Sequence, residues 1–335
     1  MPHRPDGWLT GLTSLIAAVL VLAAPVPIQA QQAAKAYRIG MLELVDPAAN
    51  WANLGAFRQG LAEQGYTEGQ NVVIEYRSAD GRPERFLDLA TELVRLEVDV
   101  IVTSGTAATL TARQATRTIP IVMASGGAPV FEGLVASLKR PGGNVTGLHT
   151  AGPPDLGGRR LRLLREAVPG ASRISILWNP GDLYSPPIVR DTEKAAQAMG
   201  IQLTSLEVQR SESFEQLFER GLLGQVDALI AVEDLMMFTY RARILEFAAM
   251  SRLPAIYGRR EFVDAGGLMS YGTDRRDLYR RSATYVHRIL TGANPADLPV
   301  EAPTKFELAI NLKTARVLGL TIPPALLQRA DYVVE

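Results

Sequence analysis

Short apolar runs alternate along this chain with longer stretches whose apolar residues recur every three or four positions. The clearest unit starts with the mostly apolar run Val98–Val102, continues through an alanine-rich helical stretch, and ends with the run Ile119–Val122. Such runs are typical of strands buried on both faces of a parallel sheet, and parallel neighbours require a crossover between them. The pattern therefore predicts a βαβ unit within a parallel sheet.

The first half of the chain repeats this alternation up to residue 148. Five strands alternating with helices are predicted, which is the rhythm of a doubly wound α/β unit. The predicted strands are Tyr37–Leu42, Asn71–Tyr76, Val98–Val102, Ile119–Ala124 and Val145–Leu148. A short helix is also predicted around Gly133–Leu138.

The second half starts the same alternation again, without obvious repetition of the sequence itself. The predicted strands are Ile174–Trp178, Leu203–Val208, Ala228–Val232, Ala255–Tyr257, Leu268–Tyr271 and Phe306–Ile310. One helix is predicted over residues 157–168 and another from about residue 237 to 251. Asp274 is predicted to cap a helix that ends at Leu290, and Ser213 with Gln216 forms a predicted capping box.

The first thirty residues have the pattern of a secretory signal peptide. Arg4 supplies a positive charge, Leu15–Ala24 is an uninterrupted apolar run, and Ala30 offers a small residue for cleavage. The run is shorter than the roughly 20 residues of a bilayer-spanning helix, so an uncleaved anchor is the weaker alternative. The chain has no cysteine, which excludes disulfides and a lipidated cysteine after the signal. The expected product is an exported protein that begins near Gln31 and carries no lipid anchor.

The composition narrows the possible functions. The 335 residues are 47% hydrophobic and carry a formal net charge of zero, whereas nucleic-acid-binding domains usually show a basic excess. The basic clusters Arg159-Arg160-Leu161-Arg162 and Arg275-Arg276 are interpreted as solvated faces of amphipathic helices, with docking to a partner as the alternative. With no cysteine and only three histidines, a zinc or copper site is not expected, and the usual phosphate-binding glycine motifs are absent. No cofactor and no nucleic acid are therefore expected.

The turn Ser104-Gly105-Thr106 is the first candidate binding feature, because it joins the strand of the opening βαβ unit to its helix. In open parallel sheets, ligands bind outside the carboxyl ends of the strands. The free N–H groups and dipole of a helix N-terminus favour an anion at that position. The alternative interpretation is that Ser104 and Thr106 only cap the helix.

Four longer stretches of sequence are recognisable. They are AFRQGLAEQGYTEGQNVVIEYRSADG (56–81), ATRTIPIVMASGGAPVFEGLVASLKRPGGNVTGL (115–148), GGLMSYGTD (266–274) and GANPADLPVEAPTKFELAINLKTARVLGLTIPPALL (292–327). In these stretches the chain resembles the bacterial ABC-transporter substrate-binding protein family typified by the tryptophan- and tyrosine-binding lipoproteins. The resemblance covers about residues 37–335.

The resemblance implies an α/β fold of two doubly wound parallel-sheet lobes with an inter-lobe ligand cleft, the periplasmic binding protein type I architecture. Three chain crossings would join the lobes, and glycine- and proline-rich stretches near 147–154, 263–267 and 292–303 are candidates for them. The expected division is residues 37–148 plus 265–292 for the first lobe and 149–264 plus 293–335 for the second, with residues 1–30 removed as signal peptide.

The resemblance also implies a set of ligand-binding residues. The Ser104-Gly105-Thr106 turn corresponds to the turn that holds a carboxylate in the family. The expected ligand-binding residues are Glu43, Ser104, Gly105, Thr106, Ser125, Asn179, Glu233, Asp234, Tyr257 and Tyr271. Several have other interpretations: Asn179 as a turn former, Glu233 and Asp234 as helix caps, and the two tyrosines as core residues.

One position departs from the family pattern. Ala128 stands before Pro129 and Val130, where the family often has an aspartate. Loss of that carboxylate weakens recognition of an amino group, so other small carboxylates and neutral ligands stay open as alternatives to an amino acid.

The resemblance implies a monomeric periplasmic receptor, not an enzyme, that captures a small molecule and delivers it to an ABC permease in the inner membrane. Two alternatives remain open. One is an extracytoplasmic sensor for a signalling partner, and the other is an enzyme that uses the carboxylates of the cleft.

Overall fold

The computed structural model describes residues 36–209, 214 and 226–335, and residues 36–335 form one compact unit. The predicted signal peptide and the capping box of Ser213 and Gln216 lie outside the described residues. Within the described part of the chain, no helix is long and apolar enough to cross a membrane.

The first lobe is built on a five-stranded parallel sheet. Its strands are β1 (Tyr37–Glu43), β2 (Val72–Ser78), β3 (Val100–Ser104), β4 (Ile121–Gly126) and β5 (Val145–His149). The spatial order is β2-β1-β3-β4-β5, the order of a doubly wound sheet whose direction reverses between β1 and β3. The crossover helices are α1 (Trp51–Glu63), α2 (Phe86–Arg95, after a 3₁₀ turn at Pro83–Arg85) and α3 (Thr106–Ala115).

The second lobe contains a seven-stranded sheet in which the same order recurs. Its strands are β6 (Arg173–Trp178), β7 (Gln202–Glu207), β8 (Ala228–Ala231), β9 (Ala255–Tyr257), β10 (Met269–Thr273), β11 (Phe306–Asn311) and β12 (Tyr332–Val334). The order is β7-β6-β8-β9-β10-β11-β12, so its first five strands repeat the arrangement of the first lobe. The predicted two-lobe α/β fold is confirmed, with the difference that β11 pairs antiparallel with β10.

The remaining helices flank these sheets. They are α4 (Leu156–Ala167), α5 (Ser185–Met199), α6 (Leu235–Thr239), α7 (Arg241–Met250), α8 (Arg260–Asp264), α9 (Arg275–Leu290), α10 (Leu312–Leu318) and α11 (Pro324–Leu327). As predicted, Asp274 caps α9, because its side chain accepts hydrogen bonds from the N–H groups of Arg276 and Asp277.

Helix α9 returns to the first lobe and packs against α1. Its inward residues Tyr279, Ala283 and Val286 share a buried apolar cluster with Phe57 of α1 and with the first sheet. The two helices approach so closely that a Cβ atom at Gly60 would lie 2.3 Å from the carbonyl oxygen of Arg280. Glycine at position 60 therefore permits the packing that holds α9 on this lobe.

The lobe boundaries differ from the prediction at two places. Strand β10 belongs to the second sheet, so residues 269–273 lie with the second lobe and not with the first. Residues 298–301 lie with the first lobe, where the Leu298 carbonyl accepts from Thr146 Oγ1 and the Glu301 carbonyl accepts from the His149 N–H. The chain therefore crosses between lobes at about 150–155, 273–275 and 302–305.

Two predicted helices are also wrong in part. The segment around Gly133–Leu138 is a series of turns, because Gly133 has φ +66° and leaves the right-handed helical region. The helix predicted from about residue 237 to 251 is two helices, α6 and α7, which meet at Tyr240. Tyr240 has φ −93° and ψ 17°, which turns the chain between the two axes.

Candidate functional site

A cavity of about 360 Å³ lies between the lobes at the carboxyl ends of the strands. The first sheet contributes the ends of β1, β3 and β4, and the second contributes residues that follow β6, β8 and β9 together with the end of β10. In each sheet the strand order reverses beside this cavity, between β1 and β3 in the first sheet and between β6 and β8 in the second. Open α/β sheets bind ligands at the carboxyl ends of the strands, next to such a reversal. Both lobes therefore present their usual binding edge to one cavity.

Seven of the ten predicted ligand-binding residues line this cavity. They are Glu43, Ser104, Gly105, Thr106, Ser125, Glu233 and Asp234. Asn179, Tyr257 and Tyr271 are not part of its wall.

The three other residues have structural roles. Asn179 donates through Nδ2 to Asp234 Oδ2 at 2.7 Å and accepts from the Gly181 N–H, so it orders a turn and supports a residue of the wall. Tyr257 is 1% exposed and stacks on Phe262, with ring centroids 4.6 Å apart. Tyr271 packs beside Phe306 in the core of the second lobe. The core interpretation of both tyrosines fits these contacts.

The turn at residues 104–106 is shaped by Gly105, which has φ +85° and ψ 161°. This backbone conformation is essentially restricted to glycine. Gly105 occupies the N-cap position of α3, and no side chain caps the helix there. The Thr106 hydroxyl instead donates to Glu132, and Ser104 Oγ lies 3.1 Å from Ser125 Oγ and accepts from Arg275 Nη2 at 2.9 Å. The interpretation of Ser104 and Thr106 as helix caps is therefore wrong.

Glu43 is a buried acid at the end of β1, 3% exposed. Tyr279 of α9 donates its hydroxyl to Glu43 Oε1 at 2.7 Å. Burial raises the pKa of Glu43 to about 7, although Tyr279, Arg275 and Arg259 oppose the rise. The wall of the first lobe thus contains a carboxyl group that changes charge near neutral pH.

Glu233 forms an ion pair with Arg160, which the sequence analysis did not predict to lie at the site. Arg160 is 0% exposed, so its interpretation as part of a solvated basic face is wrong. Its two terminal nitrogens donate to the two carboxylate oxygens of Glu233, each at 2.5 Å, and its Nε donates to the Tyr271 carbonyl at 2.7 Å. A Cβ atom at Gly258 would lie 1.9 Å from Glu233 Oε2, so only glycine leaves room for this carboxylate.

Besides Glu261, three further carboxyl groups line the same cavity: Glu132, Asp182 and Asp234. Burial raises the pKa of each of them, and Asp182 raises the pKa values of the other two by charge repulsion. For Asp234 the pKa reaches about 6, despite hydrogen bonds from the Met237 N–H and Asn179. Glu132 belongs to the first lobe and the two aspartates to the second, so like charges meet across the cleft.

Two arginines also line the wall: Arg259 was not predicted there, and the interpretation of Arg275 as part of a solvated face is wrong, because its side chain is only 16% exposed. Arg259 follows β9, and Arg275 is the first residue of α9. The Arg259 guanidinium lies 3.7 Å above the ring of Phe238 and donates to Glu261 at 2.6 Å. The strand-end rule could have found Arg259, since it lies two residues beyond Tyr257, but the prediction stopped at the tyrosine. Apolar side chains complete the wall, among them Phe86, Leu110, Leu235 and Phe238.

Comparison with a family model places the whole described unit in a known group. The model for the ABC transporter substrate binding protein matches residues 38–334. A curated relative, the tyrosine-binding protein of Clostridioides difficile, is 27% identical over 287 residues, which are 85% of this chain and 82% of the relative.

Two solved structures share the fold over nearly their whole length. The ABC domain from Streptococcus pneumonia in complex with L-Trp has a TM-score of 0.78 and 27% identity, and the match covers 89% of this chain and 99% of that one. A conserved domain protein from Vibrio cholerae O1 biovar eltor has a TM-score of 0.78 and 28% identity, over 89% of this chain and 100% of that one.

Proposed function

Because this chain belongs to the family of ABC transporter substrate-binding proteins, we propose that it captures a small organic solute between its lobes and delivers it to an importer's membrane permease. The observation that carries the proposal is the cavity of about 360 Å³, whose wall combines strand ends from both sheets. A cavity of this size fits a small molecule, and ligand sites commonly combine apolar walls with a few placed polar groups. We also propose that the protein works in the periplasm, after removal of residues 1–30.

The ligand proposed here is an amino acid with an apolar, aromatic side chain. The turn at residues 104–106 suits a carboxylate, and Phe86, Leu110 and Phe238 offer an apolar wall. Ala128 lacks the carboxyl group that the family often has there, but Glu132, Asp182 and Asp234 supply negative charge for an amino group. The tyrosine-binding name of one relative and the L-Trp complex of another support an aromatic side chain.

The proposal is tested by a ligand screen on protein that has been unfolded and refolded to remove any bound solute. The melting temperature is measured with each of the common L-amino acids and with a set of small carboxylates. A ligand that binds only the folded protein raises the melting temperature. We expect the aromatic amino acids to give the largest increase. An unchanged melting temperature with every compound would contradict the proposed function.

Ser104→Ala tests the carboxylate position within the cavity. A hydrogen bond to a charged group contributes about 1.5–3 kcal/mol, so we expect aromatic amino acids to bind this variant about 10- to 100-fold more weakly. Ser137→Ala is the matched control, because Ser137 lies in an exposed turn of the same lobe. Calorimetry measures both dissociation constants, and equal affinities for the two variants would exclude Ser104 from the site.

A further inference from the structure

Two arginines of the cavity come from different lobes and lie on either side of one carboxylate. Arg275 begins α9 in the first lobe, whereas Arg259 follows β9 in the second. Arg259 Nη2 lies 2.6 Å from Glu261 Oε1, and Arg275 Nε lies 3.6 Å from the same oxygen. A carboxylate of the protein itself therefore bridges the two lobes at this point of the cleft.

Arg275 is also placed to meet a carboxylate of the ligand. Its side chain is 16% exposed and lines the cavity, and its Nη2 donates to Ser104 Oγ at 2.9 Å. Its Nε is buried and has no hydrogen-bond partner within residues 36–209, 214 and 226–335. The guanidinium thus lies beside the turn at residues 104–106 with donor capacity that the protein does not use.

The balance of charge around these arginines favours the binding of an anion. Burial raises the pKa of Glu261, but Arg259 and Arg275 outweigh burial and lower it to about 2, so Glu261 balances one positive charge. The other acid near both arginines is Glu43, and burial raises its pKa to about 7. Glu43 is therefore protonated in a substantial fraction of molecules at neutral pH. A ligand carboxylate would supply the negative charge that the second arginine then lacks.

We propose that Arg275 and Arg259 hold the carboxylate of the ligand from both lobes, beside Ser104, and thereby select amino acids against the corresponding amines. The inference rests on the proposed function, since it assigns two residues to one end of that ligand. A planar guanidinium binds a carboxylate through paired hydrogen bonds. Because Glu261 balances only one of the two arginines, a ligand without a carboxylate leaves the other positive charge without a partner in the cleft, which disfavours its binding.

The experiment compares four amino acids with the amines that lack only the carboxylate. The pairs are L-tryptophan with tryptamine, L-tyrosine with tyramine, L-phenylalanine with phenethylamine, and L-leucine with 3-methylbutylamine. Calorimetry on the refolded protein gives each affinity for the wild type, Arg275→Gln and Arg259→Gln. Arg280→Gln is the control, because Arg280 lies on the same helix, is 45% exposed and pairs with Glu63.

We expect Arg275→Gln and Arg259→Gln each to weaken binding of the amino acids about 10- to 100-fold, whereas the amines, which the arginines disfavour, should bind the variants at least as tightly as the wild type. Arg280→Gln should leave both series unchanged. Arg275→Lys keeps the charge but not the planar group, so its amino acid affinity should lie between those of the wild type and Arg275→Gln. Retained binding of an amine shows that the variant is folded.

Two results would overturn the inference, and they are distinguishable. If amino acids bind the wild type but Arg275→Gln weakens both series equally, the arginines only join the lobes, and the proposed function stands. If none of the eight compounds binds the wild type, the proposed ligand class is wrong and the assignment of the arginines falls with it.

Discussion

Replacing Arg160 with methionine should destabilise the protein by about 3 kcal/mol, measured as the free energy of unfolding in urea at pH 7. Arg160 is completely buried, and its guanidinium binds both oxygens of Glu233 and the carbonyl of Tyr271. Removing one partner of a buried pair typically costs about 3–5 kcal/mol, because the other charge is left without compensation. The lower end of this range applies here, because Glu233 is 17% exposed and its carboxylate is partly solvated from the cavity once Arg160 is removed.

Two further variants separate the lost charge from lost packing. The double variant Arg160→Met with Glu233→Leu removes both charges, so its stability should return to within about 1 kcal/mol of the wild type. Arg162→Met should change stability by less than about 0.5 kcal/mol, because Arg162 lies on the same helix but is 55% exposed. A double variant as unstable as the single one would contradict the charge argument.

The burial of Arg160 could be predicted from helical spacing but not from residue type. Leu156, Arg160, Leu163 and Ala167 recur every three or four residues, and all four are buried along one face of α4. A basic cluster usually indicates a solvent-exposed helix face, so the residue type alone predicted that Arg160 is exposed. What makes burial possible is Glu233, which lies 73 positions further along the chain. A contact of that kind leaves no local pattern in the sequence.

The cleft was predictable in outline because parallel strands end at one edge of a sheet. That rule located the turn at residues 104–106 and both acids at the end of β8. It was wrong for Tyr257, because successive strand residues face opposite sides and this one points into the core. It could not locate Glu132 and Asp182, which lie in connecting loops whose positions depend on tertiary packing. The same limit explains β10, whose partners β9 and β11 are fixed only in the folded sheet.

Between pH 4 and pH 8, the free energy of unfolding should change by about 3 kcal/mol less favourably for the wild type than for Glu43→Gln, because the variant lacks the group that titrates. The pKa of Glu43 rises from its ordinary value of 4.5 to about 7 in the folded protein, chiefly through burial. The folded state holds the proton more tightly than the unfolded state. Protonation of Glu43 therefore stabilises the folded wild type fully below pH 4.5, and this stabilisation is lost as the pH rises through 7. The free energy that corresponds to such a pKa change is about 3 kcal/mol.

Several titratable and charged groups face Glu43, so the variant compared with the wild type must change only the ionisation of Glu43. Tyr279 and Ser104 hydrogen-bond to Glu43, and Arg275 and Arg259 are positively charged. The pKa of Tyr76 of β2 is raised chiefly by burial and also by the nearby Glu43. Glutamine keeps the size of the side chain and an acceptor for Tyr279 but cannot ionise, so the difference between wild type and variant isolates one titration. Urea unfolding of both proteins at pH 4, 6 and 8 gives that difference, with the exposed Glu84→Gln as control. If the stability difference between Glu43→Gln and wild type were the same at all three pH values, Glu43 would not be the group that titrates, and the charge balance around Arg275 would have to come from elsewhere in the cleft.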